Sequence, residues 1–110
     1  MRLGELVATL GLEALVPGEP DREVTGGYAA DLLSDVMAHA RQGNVWVTIQ
    51  THRNVVAVAS LLSLAAVIMA GGYRPDAETM AKAAEEGVPV YATAESTFLV
   101  AGRLYELGLR

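Results

Sequence analysis

The sequence predicts an α/β fold: three layers, α/β/α, around a small, mostly parallel sheet. Three observations carry this expectation. From Asp31 onward the chain alternates between helical and strand-like spacing, helix then strand, through to Leu107. Val45 to Ile49 reads V-W-V-T-I, a period of two rich in β-branched residues, so it is a strand. Ala65 to Ala70 is a continuous apolar run of strand length ending at Gly71-Gly72, the pattern of a strand buried on both faces. Strands that alternate with helices imply right-handed crossovers and a sheet covered on both sides.

Taken in order, Leu3, Leu6, Val7 and Leu10 fall on one helix face, and Gly11 stops that helix. Leu12 to Val16 alternates and makes a short strand. Pro17, Gly18 and Pro20 form a loop. Glu23 to Thr25 is expected to be a second strand, ending in a turn at Gly26-Gly27. Asp31 to Ala40 places Leu32, Leu33, Val36, Met37 and Ala40 on one side of a helix, with Asp31 or a neighbour as its cap. After the strand from Val45, the polar stretch Gln50-Thr51-His52-Arg53-Asn54 leads into Val55-Val56-Ala57-Val58-Ala59. A strand could carry that apolar run, but Leu61 and Leu62 extend it to helical length, with Val55, Val58 and Leu62 expected inside. Asp76 caps the next helix, Gly87 ends it, and Pro89 follows. Val88 to Ala92 is a short strand. Thr93 to Ser96 can cap a last helix expected to bury Phe98, Leu99, Leu104 and Leu107.

The chain has 110 residues, room for one domain over residues 1–110. Its 52% hydrophobic content excludes disorder and is high for a small monomer. A homodimer is therefore expected, with Trp46 and Tyr28 as side chains suited to anchor an interface. The net charge of −5, with Lys and Arg scattered, argues against nucleic acid as a partner. Without cysteine there is no disulfide, thiolate nucleophile or thiolate-bound metal. No metal and no cofactor is expected. The first residues do not read as a secretory signal, and the run from Val55 to Met69 falls short of a membrane span, so a cytoplasmic protein is expected.

Three stretches, D-R-E-V-T-G-G-Y at Asp21 to Tyr28, D-L-L-S-D-V-M at Asp31 to Met37, and W-V-T-I-Q-T-H-R-N-V-V-A-V-A at Trp46 to Ala59, together resemble the DRTGG domain family. Glu23 and Val24 interrupt the motif that names the family, so Thr25, Gly26 and Gly27 match it directly, whereas Asp21 and Arg22 stand at altered spacing. The resemblance implies a fold similar to the amino-terminal domain of HPr kinase/phosphorylase, without the kinase's phosphate loop. It also implies a non-catalytic module. Relatives stand between CBS domains in regulated pyrophosphatases and in some phosphotransacetylases. Short stand-alone copies accompany iron-only hydrogenase gene clusters.

Candidate site residues follow from the fold. Ligands of open α/β sheets bind beyond the carboxyl ends of the strands. Four segments are expected there: Thr25-Gly26-Gly27; Gln50, Thr51, His52 and Asn54; Gly71-Gly72; and Thr93 with Ser96 and Thr97. The glycines would let backbone N–H groups approach a ligand, and Arg53 would supply fixed positive charge. A nucleotide or another small anion suits such an edge. His52 has neighbours suited to hydrogen bonding but no nucleophile or orienting acid, so a capping role is expected rather than catalysis. His39 is expected on the surface near a helix end. Asp31 and Asp35, four apart, read as a cap and a solvated acid rather than a metal pair. Two functional classes remain: a regulatory, ligand-sensing module acting as a dimer, or an interaction or assembly subunit, for example alongside iron-only hydrogenase systems, with no small ligand. The sequence offers no enzyme's set of groups.

Overall fold

A computed structural model describes all residues from Met1 to Arg110. Its elements are α1 (Leu3–Leu10), β1 (Glu13–Val16), β2 (Gly26–Ala29), α2 (Leu33–His39), β3 (Asn44–Thr48), α3 (Asn54–Leu61), β4 (Ala66–Met69), α4 (Ala77–Glu86), β5 (Val90–Ala92) and α5 (Thr97–Glu106). The five strands lie in the order β1-β5-β4-β3-β2. β2 to β5 are parallel and neighbour one another in chain order, and β1 closes the far side antiparallel to β5. The mostly parallel α/β fold expected from the sequence is the one observed.

Strand alternation sorts the core into two halves. Val45, Val47, Ala66, Ile68 and Tyr91 face α1 and α5, where Leu3, Leu6, Leu10, Val100 and Leu104 meet them. Trp46, Val67, Met69 and Val90 face α2, α3 and α4, where Val36, Val55, Val56, Ala59 and Ala83 meet them. Successive residues of a strand point to opposite faces, so both halves are dry only because helices cover both. α3 buries Val55 and Val58 as expected, while Leu62 just beyond it is half-buried.

Local signals bound α1, α4 and α5 where the sequence placed them. Gly11 and Gly87 end α1 and α4 in the left-handed conformation, φ 65° and 69°. Asp76 caps α4 by accepting from the Thr79 N–H at 2.8 Å, and Ser96 caps α5 by accepting from the Leu99 N–H at 3.2 Å.

Four expectations need correction. The second strand is Gly26–Ala29, not Glu23 to Thr25; Glu23 makes only an isolated bridge to Arg2. Gly26 and Gly27 are paired residues of β2, opposite Asn44 and Val45. A side chain at Gly26 would meet the Arg110 carbonyl oxygen at 2.5 Å, so close backbone approach, not a turn, requires glycine there. Asp31 does not cap α2, whose N-cap is Leu32. Trp46 is fully buried and donates its indole N–H to the Ala30 carbonyl at 2.8 Å, so it is a core residue and no interface anchor. Phe98 and Leu99 are exposed at 83% and 52%, because α5 turns the Val100–Leu104 row to the sheet instead.

Candidate functional site at the carboxyl edge of the sheet

The turn from β3 to α3 is held by a small polar network. Thr48, fully buried at the end of β3, donates its hydroxyl to Asp31 Oδ1 at 2.9 Å. The Ile49 N–H donates to the same oxygen at 3.0 Å. Thr48 Oγ1 in turn accepts from the Gln50 N–H at 3.0 Å. Asp31, in the loop after β2, thereby fixes where the chain leaves β3. Two residues on, His52 Nδ1 accepts from the Asn54 N–H at 3.1 Å. That bond assigns the neutral ring's proton to Nε2 of this exposed side chain. The N–H groups of Thr51, His52 and Arg53 find no acceptor in the protein. Free donors ahead of a helix favour an anion or an acceptor-rich ligand.

This turn forms one wall of a crevice of about 600 Å³, completed by Arg74, Asp76, Glu78 and Thr79 from the loop and first turn of α4. Gln50, Thr51, His52 and Arg53 are the other lining residues, and none of the eight is apolar. The size lies within the range of ligand pockets.

Charge in the crevice is internally balanced. Arg53 pairs with Glu78 at 2.8 Å. Arg74 makes a two-pronged bond to Glu13, at 2.9 and 2.8 Å, which holds the Glu13 carboxyl below its usual range through hydrogen bonding and then charge. Asp76 is likewise lowered, first by its hydrogen bonds from Thr79 and then by the charge of Arg53. The fixed positive charge that the sequence assigned to Arg53 thus already has a partner.

The predicted residues distribute over three places. Gln50, Thr51 and His52 line the crevice, with Asn54 behind them at the start of α3. Gly71 and Gly72 follow β4 at φ 74° and 81°, but their N–H groups already donate to Glu95 O at 2.7 Å and Thr93 O at 3.0 Å. Thr93 Oγ1 accepts from the Glu95 N–H, and Ser96 caps α5, with Thr97 as its first residue. This second cluster shares the edge without lining the crevice. Thr25, Gly26 and Gly27 do not reach this edge at all: they sit at the amino end of β2, because β2 runs parallel to β3 from Gly26. Asp35 also stands apart from Asp31. It accepts from the Tyr28 hydroxyl at 2.7 Å and contacts His39 Nδ1 at 3.0 Å. The Asp35 bond, burial and Asp35's charge, in that order, push the Tyr28 phenol up. His39 is exposed near the end of α2, as expected.

Arg74, Glu78 and Thr79 were missed. Their signal was available: a helix capped by Asp76 after a parallel strand must begin at the same edge as the turn after β3.

Fold and site together define an α/β/α domain with a polar, charge-balanced crevice beyond its parallel strands. The chain belongs to the DRTGG domain family, whose model matches residues 5–107. It is similar in structure to the CBS and DRTGG domains of the regulatory region of Clostridium perfringens pyrophosphatase, solved with the activator diadenosine tetraphosphate. The TM-score is 0.70 at 19% sequence identity, over 98% of this chain and 47% of that one. The chain therefore spans about half the length of that regulatory region, and at this identity the likeness speaks for the fold. None of the curated proteins compared with it matches. No helix is long and apolar enough to cross a membrane.

Proposed function

We propose that this chain, as one domain over residues 1–110, is a non-catalytic regulatory module of the cytoplasm. In this reading it senses a nucleotide or similar small anion and acts as a dimer. The observation that carries the reading is the crevice at Gln50, Thr51 and His52, with three neighbouring N–H groups that lack acceptors. Phosphate oxygens would satisfy those donors, and Gln50 and the Nε2 of His52 can read a base or sugar. The Arg53–Glu78 pair is exposed on both sides, 61% and 74%. Exposed pairs of this kind contribute only about 0–1 kcal/mol, so a phosphate can take Arg53 over at little cost. Asn54 supports the site by fixing His52. Gly71, Gly72, Thr93, Ser96 and Thr97 shape the adjoining loops. The regulatory region of the pyrophosphatase, which was solved with a dinucleotide activator, makes adenine nucleotides the first ligands to test.

The experiment is a thermal-shift and calorimetric titration with AMP, ATP and diadenosine tetraphosphate. Binding raises the melting temperature with ligand concentration. Gln50→Ala and His52→Ala are expected to weaken binding while the chain stays folded. Full affinity in both folded variants would move the site elsewhere. Dimerisation is checked by sedimentation equilibrium at micromolar concentration, where a clean monomer mass counts against it.

One observation favours the second reading, an interaction or assembly subunit. α5 exposes Phe98, Leu99 and Tyr105 to solvent. If no nucleotide or small anion binds the parent at millimolar concentration, that face becomes the functional surface.

A further inference from the structure

The amino edge of the sheet holds a second concave surface. Its recess, about 430 Å³, lies where β2 begins and is lined by Thr25, Tyr28, His39, Arg41, Asn44 and Arg110 among others, with no Asp or Glu side chain. That is unusual in a chain of net charge −5. Of the eight basic side chains, Arg2, Arg53, Arg74, Lys82 and Arg103 pair with carboxylates. Arg22 donates to the Ser63 carbonyl at 3.0 Å. The remaining two, Arg41 and Arg110, both line this recess.

Their settings differ in a useful way. The Arg110 guanidinium lies 3.9 Å over the Tyr105 ring and donates to the Tyr105 carbonyl at 2.9 Å, which holds it at the rim. The Arg41 side chain has no partner, but its backbone is braced. The Arg41 N–H donates to Asn44 Oδ1 at 3.0 Å, Asn44 Nδ2 to Thr25 Oγ1 at 3.2 Å, and the Thr25 hydroxyl to the Gln42 carbonyl at 2.8 Å. The motif residue Thr25 thus ties the turn carrying Arg41 to the start of β2. The nearby acid, Asp35, has one oxygen taken by Tyr28 and the other by His39.

An apolar trough of about 370 Å³ adjoins the recess and shares Gly27, Tyr28 and Arg110 with it. It runs between β2 and α5, with Ala29, Leu104 and Tyr105 in its walls. The bond from the Ala30 N–H to the Val47 carbonyl fixes the phase of β2. Alternation then turns the N–H and C=O of Gly27 and Ala29 outward, along the trough.

We propose that this cleft along β2 binds a small phosphorylated ligand with a flat apolar body. The phosphate lies against Arg41 and Arg110, whose guanidinium geometry suits phosphate oxygens. The body lies in the trough, where glycine and alanine leave the edge backbone open to its polar rim. The site is independent of the carboxyl-edge crevice and stands at the opposite edge of the sheet.

The test is an amide-resolved NMR titration of the full chain with AMP and, separately, with inorganic phosphate. Saturable shifts are expected at Gly27, Tyr28, Arg41 and Asn44, tighter with AMP than with phosphate. Arg41→Gln and Arg110→Gln are each expected to weaken AMP by about tenfold or more, the size of a lost charge-assisted hydrogen bond. The Arg41 side chain makes no hydrogen bond or ion pair within the chain, so its variant should keep the parent spectrum away from the cleft. Binding at these amides should persist in a chain carrying Gln50→Ala and His52→Ala. The proposal is overturned if these amides show no saturable shift up to millimolar AMP, if only residues 50 to 54 respond, or if both arginine variants keep the parent affinity.

Discussion

Thr48 is the residue through which the carboxyl-edge crevice and the core are joined, and replacing it with valine tests that join. The side chain is fully buried and makes two hydrogen bonds, as donor to Asp31 and as acceptor from the Gln50 N–H. Thr48→Val keeps the shape and removes both. Each bond contributes about 1 kcal/mol net, at the lower end here because Asp31 and Gln50 are exposed and can turn to water. The added methyl in a dry site returns about 0.8 kcal/mol. The balance is a loss of about 1 kcal/mol, or a fall of roughly 5 °C in melting temperature for a domain of this size. Thr48→Ser is the matched control: it keeps both bonds, loses a methyl, and should lose a similar amount of stability. Stability alone does not separate the two variants, but ligand affinity does. Only Thr48→Val frees the Gln50 turn, so only that variant should bind nucleotide more weakly. Urea unfolding followed by fluorescence of the single tryptophan, Trp46, measures the first quantity, and calorimetry the second. A Thr48→Val chain as stable as the parent, with unchanged affinity, would refute the view that this network positions the site.

Acid should weaken the fold in a defined window. Glu13 and Asp76 have carboxyls lowered from 4.5 and 3.8, so their contributions are present above those values and lost as pH falls through the lower folded ones. The urea midpoint should therefore stay level from neutrality to about pH 5 and fall below about 4.5, less steeply in Asp76→Asn, which can still cap α4 but does not titrate. Gly102 lies in α5 with open space where a Cβ would stand, so Gly102→Ala should stabilise by up to about 1 kcal/mol through helix propensity. Gly43 is the opposite case, at φ 82° with Thr25 Oγ1 2.7 Å from the Cβ position, so Gly43→Ala should cost at least about 1–2 kcal/mol by the same denaturation assay. Glu78→Gln should release Arg53 and tighten nucleotide binding, an effect that shrinks with added salt; weaker binding would mean that Glu78 aims Arg53 rather than competing for it.

What the sequence disclosed was local. β3 and β4 were legible from period-two alternation and from an apolar run, and Gly11, Asp76, Gly87 and Ser96 act within one turn of their own position. Long-range pairings were not legible. Asp31 looks like a cap because a helix follows it, and only the sheet brings Thr48, 17 residues on, within 2.9 Å. β2 was misplaced for a similar reason. Glu23-Val24-Thr25 has better strand propensity than Gly26-Gly27, and Val24 is buried besides, but parallel pairing with Asn44 and Val45 decides which residues form the strand. That three- to four-residue error moved the whole T-G-G motif from one edge of the sheet to the other. Phe98 and Trp46 were exchanged in the same way: hydrophobicity marks both for burial, and only the phase of α5 and the depth of β3 place one outside and the other within.

The position of the crevice follows from the order of the strands. β2, β3, β4 and β5 succeed one another across the sheet, and α2, α3 and α4 share one face. Only after β5 does the chain cross to the other face, with α5. In open α/β sheets the crevice forms where neighbouring strands send their connections to opposite faces, which here is between the ends of β4 and β5. That point is narrowed to a small recess of about 150 Å³. Gly71 and Gly72 donate to Glu95 and Thr93, and Arg103 draws Glu95 towards α5 at 2.8 Å. The open space is shifted by one strand, between the turn after β3 and the loop after β4, whose helices lie side by side on the same face. A crevice of that kind is walled by charged pairs rather than by diverging helices. A ligand bound there, as proposed, would have to exchange with surface ion pairs, and such exchange suits reversible sensing better than tight retention of a cofactor.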